Sequence, residues 1–228
     1  TITAYSPSKS KKVKFYPLTL SQQKQIIETA GDPTLSILAF NKLFYNILKE
    51  NIIDDDINQY NTVDRVVFTL ALRAHLSDEV ELVDESKISL LTLINRNVDI
   101  KPDLNNITIT ANEFVFECAA PTLDIDNKIN DMILKKHKKI NDDTLSLLIS
   151  DLYVYEILKF IKTLSVGERT INFEDNYVQA LELLNNIDSK LLIDIADFIN
   201  KVRDAESEFA KIPDSDSNID IVPNFFIL

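Results

Sequence analysis

Only two glycines, Gly31 and Gly167, occur in 228 residues. Phosphate-cradling P-loops, dinucleotide fingerprints and the strained nucleophile elbow each need closely spaced glycines, so none of these is present. Few tight active-site loops can be built either. Cysteine occurs once, at Cys118, which excludes an intramolecular disulfide. Cys118 ends the alternating run Phe114, Phe116, Cys118 and reads as a small core residue rather than a reactive thiol. The two histidines, His75 and His137, are isolated and not in ligand spacing, so no zinc site is expected. His137 sits in the basic run 135–139 and reads as an exposed residue of a helix C-terminal turn.

Positive charge is also short: Lys plus Arg number 24 against 36 Asp plus Glu, a net charge of −12. Such a surface repels phosphate backbones and anionic lipid, so no nucleic-acid partner is expected. The basic run KSKKVK at 9–14 stands against the trend and reads as a solvated segment. No apolar run approaches the ~20 residues of a membrane span. Nor does the N-terminus show the basic, apolar, small-residue order of a signal peptide. The chain is expected inside a cell, or assembled there.

What is present is an ordinary globular composition, 45% apolar and 26% charged. A chain this long buries roughly 70–75% of the surface of its unfolded form, enough for a real core. The organising stretch is 61–83, NTVDRVVFTLALRAHLSDEVELV. Val63, Val66, Val67, Leu70 and Ala74 recur at helical spacing, while Phe68, Leu72 and Leu76 fall on the other side. The pattern predicts a helix apolar almost all round, hence buried. Its acids come first and its bases last, as the helix dipole favours. Val80 and Leu82 then alternate as a strand. Within the helix, Arg73 is expected to find a partner inside its own chain.

In chain order, 1–12 reads as a flexible segment, and Val13 and Phe15 as a short strand ended by Pro17. Thr19 is a predicted N-cap with Gln22 at the capping-box position, and Gly31 closes that helix. Asp32 and Pro33 restart a helix whose apolar stripe is Leu35, Leu38, Leu43, Phe44, Ile47 and Leu48. Short segments from Val80 to Cys118, including a hairpin around Ala111 and Asn112, read as a small antiparallel sheet; Ile88 to Ile94 is equally a buried strand or a buried helix. From 121 the pattern is helical: 125–135, a helix reaching about Leu164, one over 174–185, and one from Asp188 to about Ala210. The expected fold is α+β and mostly helical. Its parts are a flexible 1–12, helices plus the small sheet over 13–120, a helical bundle over 121–211, and a linker with an apolar tail over 212–228.

Carboxylates are plentiful without forming a site. Asp54, Asp55 and Asp56 lack the glycine and spaced oxygens of a calcium loop. Asp84 with Glu85, and Asp194 with Asp197, lack a second motif, so neither catalytic residues nor a cofactor is expected. The end of the chain is different. Val222 to Leu228 is strongly apolar, and an apolar terminus needs a docking place, either on its own domain or on a partner by strand addition or in a groove. The candidate partner-binding residues are Phe225, Phe226, Ile227 and Leu228, with Phe15 and Tyr16 of the first strand.

Four stretches carry a family resemblance. VKFYPLTLSQQKQII at 13–27 resembles the opening of the baseplate hub assembly proteins of T-even-type, contractile-tailed bacteriophages. TVDRVVFTLALRAHLSDEV at 62–80 is similar to that family's helix with an early Asp, a midway aromatic and Leu-Arg-Ala before a turn. FECAAPTL at 116–123 resembles its aromatic-x-Pro-Thr step, and Asn224, Phe225 and Phe226 its di-aromatic end. Relatives often carry paired cysteines after the central strand, and 84–96 has none, so no metal knuckle is implied here. The resemblance implies a non-enzymatic phage protein that helps the tail baseplate hub assemble, as a transient chaperone or as a retained virion subunit. Its implied partners are hub or tail proteins, with self-association left open, and its implied place is the host cytoplasm during assembly, or the virion tail.

Overall fold

The structure, a computed structural model, describes residues 1–31, 35–82, 85–137 and 142–227, with side chains in the last stretch from 145 onward. The chain opens with β1 (Ile2–Ser6) and β2 (Lys11–Phe15), an antiparallel pair to which the short β3 (Ile52–Ile53) adds along β2. The flexible segment expected over 1–12 is therefore a strand and turn. Its inward residues Ile2, Ala4 and Ser6 are buried, but Ala and Ser carry almost no apolar signal. Ser6 is satisfied by Asp64: its Oγ donates to Oδ1 at 2.7 Å, and the Ser8 N–H donates to the same oxygen at 3.1 Å. Burying a hydroxyl without such a partner would cost free energy.

Helix α1 (Leu20–Glu28) starts with the predicted capping box of Thr19 and Gln22 and runs into a 3₁₀ turn, Thr29–Gly31. Helix α2 (Ser36–Asn51) follows; its predicted cap residues Asp32 and Pro33 lie outside the described residues. Helix α3 (Thr62–Leu76) is capped by Asn61, whose side chain accepts from the Val63 and Asp64 N–H groups while Asp64 reaches back. Its all-round apolar pattern now has a cause, because α3 stands between two hydrophobic cores. Val63 and Val67 face one, and Phe68, Leu70, Ala71 and Leu72 the other. Strands β4 (Glu79–Glu81) and β5 (Lys87–Ser89) form a separate two-stranded ribbon, and α4 (Leu90–Asn97) resolves the 88–94 ambiguity as strand, then helix.

The expected single sheet over 80–118 is thus corrected. The main sheet begins with the hairpin of β6 (Ile107–Ala111) and β7 (Phe114–Cys118), turning at Asn112 with φ +57°. It is completed by strands from beyond the expected boundary at 120. Helix α5 (Leu123–Lys136) and helix α6 (Asp142–Phe160) lead into β8 (Ile161–Val166) and β9 (Arg169–Asn172), giving the antiparallel order β6-β7-β8-β9. The helix expected to reach Leu164 stops at Phe160. Gly167, at φ +59°, supplies the left-handed residue of the two-residue β8–β9 turn. Helices α7 (Tyr177–Asn185) and α8 (Ile193–Ala210) cover the first core. One further reading is corrected: His137 is buried, and its Nε2 lies 2.8 Å from Asp151 Oδ2 of α6. The fold is α+β, its main sheet built from both halves of the chain.

Candidate interaction surface

The apolar tail folds back as a 3₁₀ turn, Pro223–Phe226, onto α1, α2 and α3. Phe226 is fully buried, with ring centroids 6.1 Å from Phe40 and 5.7 Å from Phe44. Its carbonyl accepts from Gln23 Nε2 at 2.8 Å. Arg73 holds the neighbouring residue: Nε donates to the Phe225 carbonyl at 2.6 Å, Nη1 to the Ser77 carbonyl at 2.7 Å, and the guanidinium stacks 5.5 Å from the Phe225 ring centre. Arg73 has its intramolecular partners, all of them uncharged. Burial accordingly lowers its pKa from the usual arginine value.

These contacts separate the candidate partner-binding residues. Phe225 and Phe226 are buried in their own chain, and Phe15 is fully buried with its ring 4.9 Å from that of Phe68. Withholding each such ring from water is worth about 1.5–3 kcal/mol, so none of the three is free to meet a partner. Ile227 and Tyr16 are 51% and 57% exposed, and Leu228 lies outside the described residues.

Beside the docked tail runs a groove of about 900 Å³, walled by β4, by segment 212–220 and by the tail itself. Segment 212–220 is pinned by the Ile219 N–H to the Ala210 carbonyl at 2.8 Å and by the Ile212 N–H to the Ser217 carbonyl at 2.9 Å. The opposite wall is β4 with Lys87 of its partner strand β5. The Leu90 N–H donates to the Asp78 carbonyl, and the Leu82 N–H to the Ser86 carbonyl, each at 2.8 Å, so even-numbered residues of β4 bond toward β5. By the antiparallel alternation, the backbone groups of Glu79 and Glu81 point away from β5. Val80 and Ile88 pack beneath the ribbon against the second core. The strand was legible in the sequence, but not its outer edge, which pairs with no strand among the described residues, because edges are decided by which strands pair. Ile227 adds an exposed apolar residue to the lining.

Elsewhere the buried charges of the first core pair with one another. Asp126 and Lys159 are buried together and Arg65 lies mostly under cover; Asp126 Oδ1 is 2.8 Å from Lys159 Nζ, and Oδ2 is 2.5 Å from Arg65 Nη1. Burial alone would raise the Asp126 pKa, but Lys159 and Arg65 overcome it and hold it well below the carboxylate range. Cys118 is buried, and its thiol is pushed up to about 12 by desolvation. Asp194 and Asp197 are exposed on α8, Glu85 is exposed, and Asp84 lies outside the described residues. Among the described residues no group of three or more His, Cys, Asp or Glu is placed to hold a metal ion, and no helix is long and apolar enough to cross a membrane. Comparison with known proteins finds no matching family model, no matching curated protein and no matching solved structure.

Proposed function

We propose that the chain is a non-enzymatic protein of a contractile-tailed phage that acts, as an assembly chaperone in the host cytoplasm, in building the central hub of the tail baseplate, and that it engages hub proteins along the groove beside its tail. The family resemblance of 13–27, 62–80, 116–123 and 224–226 supports the setting. The observation that carries the mode of action is that Glu79 and Glu81, on the side of β4 that no strand pairs among the described residues, line a groove of about 900 Å³. A strand edge with no partner strand among the described residues, beside a lining of mixed polarity, is a template for strand addition, which supplies affinity through main-chain hydrogen bonds. In this reading the tail builds the wall of the docking site, and its exposed Ile227 touches the guest.

Co-expression with hub subunits tests it. Glu81→Pro removes an N–H that faces outward, leaving the β4–β5 pairing whole, and Ile227→Asp places a charge in the groove. Both variants should keep the wild-type melting temperature and lose co-purifying hub protein. Undiminished co-purification with both would refute the groove. Stoichiometric presence of the chain in finished particles would replace the chaperone with a retained baseplate subunit.

A further inference from the structure

The solvent face of the N-terminal sheet reverses the charge of the rest of the chain. Burial alternates along both strands: Ile2, Ala4, Val13 and Phe15 point inward, while Thr3, Lys12 and Lys14 are exposed and Tyr5 half-exposed. The register sets Thr3 opposite Lys14 and Tyr5 opposite Lys12. Lys101, from the loop after α4, reaches the same face, its Nζ 5.6 Å from the Tyr5 ring centre and 3.4 Å from the Tyr5 hydroxyl. Lys9 is exposed in the β1–β2 turn. Lys11 is neutralised by Asp55 at 2.8 Å, but among the described residues Lys9, Lys12, Lys14 and Lys101 make no ion pair. Alternate residues of a strand lie about 7 Å apart, within the ~8 Å screening length at physiological salt, so these charges reinforce one another across the face.

We infer that this face docks a short acidic segment of a protein partner, its carboxylates set among Lys12, Lys14 and Lys101 and one apolar side chain on the Tyr5 ring. Charge complementarity selects the occupant. A nucleic acid is also anionic, but its charge continues at every phosphate, and a strand leaving this face would run over a protein whose net charge is −12. A short acidic segment ends where the lysines end. The surface shares no residue with the groove and stands whether or not hub proteins use that groove.

Three probes decide the matter: a fluorescein-labelled peptide of Asp, Glu and Tyr, the same peptide with Asn and Gln in place of the acids, and a single-stranded oligonucleotide of equal length. Fluorescence anisotropy should show the acidic peptide binding at least about tenfold more tightly than the other two, and more weakly as salt rises. The double variant K12E/K14E should lose about tenfold in affinity with an unchanged melt, since both side chains are exposed. Lys101→Glu, outside the sheet, should show the same loss and guards against a folding defect in the strand variant. Glu81→Pro should bind the peptide as the wild type does. Equal binding of the neutral peptide, tighter binding of the oligonucleotide, or affinity unmoved by both K12E/K14E and Lys101→Glu would each overturn the inference.

Discussion

Two arginines on one helix divide the molecule. Arg65, near the start of α3, bonds to Asp126 in a cluster with Lys159, Glu156 and Glu206 that ties α3 to α5, α6 and α8. Arg73, two turns on, bonds only to backbone carbonyls and stacks on Phe225. Burial works against both charges. For Arg65 the facing Asp126 and Glu206 outweigh it and raise the pKa, whereas for Arg73 nothing does and the pKa falls. The elements around the first core are thus tied by complementary charge, and the tail is held on the second by aromatic packing and neutral acceptors. The charged cluster should respond to protons, and the docking of the tail should not.

The largest effect should come from Asp126→Ala. It strands Lys159 and Arg65 without their shared carboxylate, and breaking a buried pair from one side costs about 3–5 kcal/mol. Urea unfolding would show it as a lowered midpoint. The same residue contributes to the acid response, alongside Asp55, Asp131 and Asp151, whose pKa values are also lowered by their cationic partners. The folded pKa of Asp126 lies below the unfolded value of about 3.9, so its contribution is present above that value and is lost as pH falls toward the folded pKa. The wild type should lose stability below about pH 4 more steeply than Asp126→Asn. Next in size is Phe226→Ala, about 3 kcal/mol for a buried ring lost from between Phe40 and Phe44. That variant should open the tail to proteolysis, and its deficit should not change between pH 4 and 8. Arg73→Met should cost less, about 2 kcal/mol, because it leaves the Phe225 and Ser77 carbonyls without a donor, again with no pH dependence. A pH-dependent deficit in either tail variant would collapse the distinction between the two regions.

Helix α3 was legible because a helix apolar on every side has to be buried, but periodicity alone does not say that two different cores share it. Strand β8 was misread for a definite reason. Cys118 pairs with Ile161 while Glu117 pairs with Thr163, so Lys162 is an extra residue, and the bulge turns Ile161 to the same face as Leu164. Two buried residues three apart mimic a helix. Strand β1 was missed because its core residues include Ala4 and Ser6, the latter buried only because Asp64, far along the chain, accepts its hydroxyl. The tail's need for a docking place was plain in its composition. The place itself was not, since Phe40, Phe44, Gln23 and Arg73 meet there only through the tertiary fold. The basic run at 9–14 read as solvated, and only the pairing with β1 sorts it into an outward Lys12 and Lys14 and an inward Val13.

The smallest expected effect is the sharpest test of the charged region. Glu206 accepts a hydrogen bond from Thr62 Oγ1 and faces Arg65, yet its pKa is raised. Desolvation is the largest cause; Thr62 and Arg65 pull the other way, and the like charges of Asp126 and Glu156 add to the rise. A carboxyl raised in the fold contributes most below its unfolded pKa of about 4.3, and that contribution fades as pH climbs through the folded value, the opposite slope to Asp126. Glu206→Gln keeps an acceptor for Thr62 and removes the titration. At pH 7 the variant should match the wild type or exceed it by up to about 1 kcal/mol, and the advantage should vanish near pH 4. If Glu206→Gln instead loses more than about 1 kcal/mol at pH 7, then Arg65 needs both carboxylates. The cluster would then be balanced by Glu206 as well as by Asp126, and charge would hold the first core more tightly than the single pair on Asp126 implies.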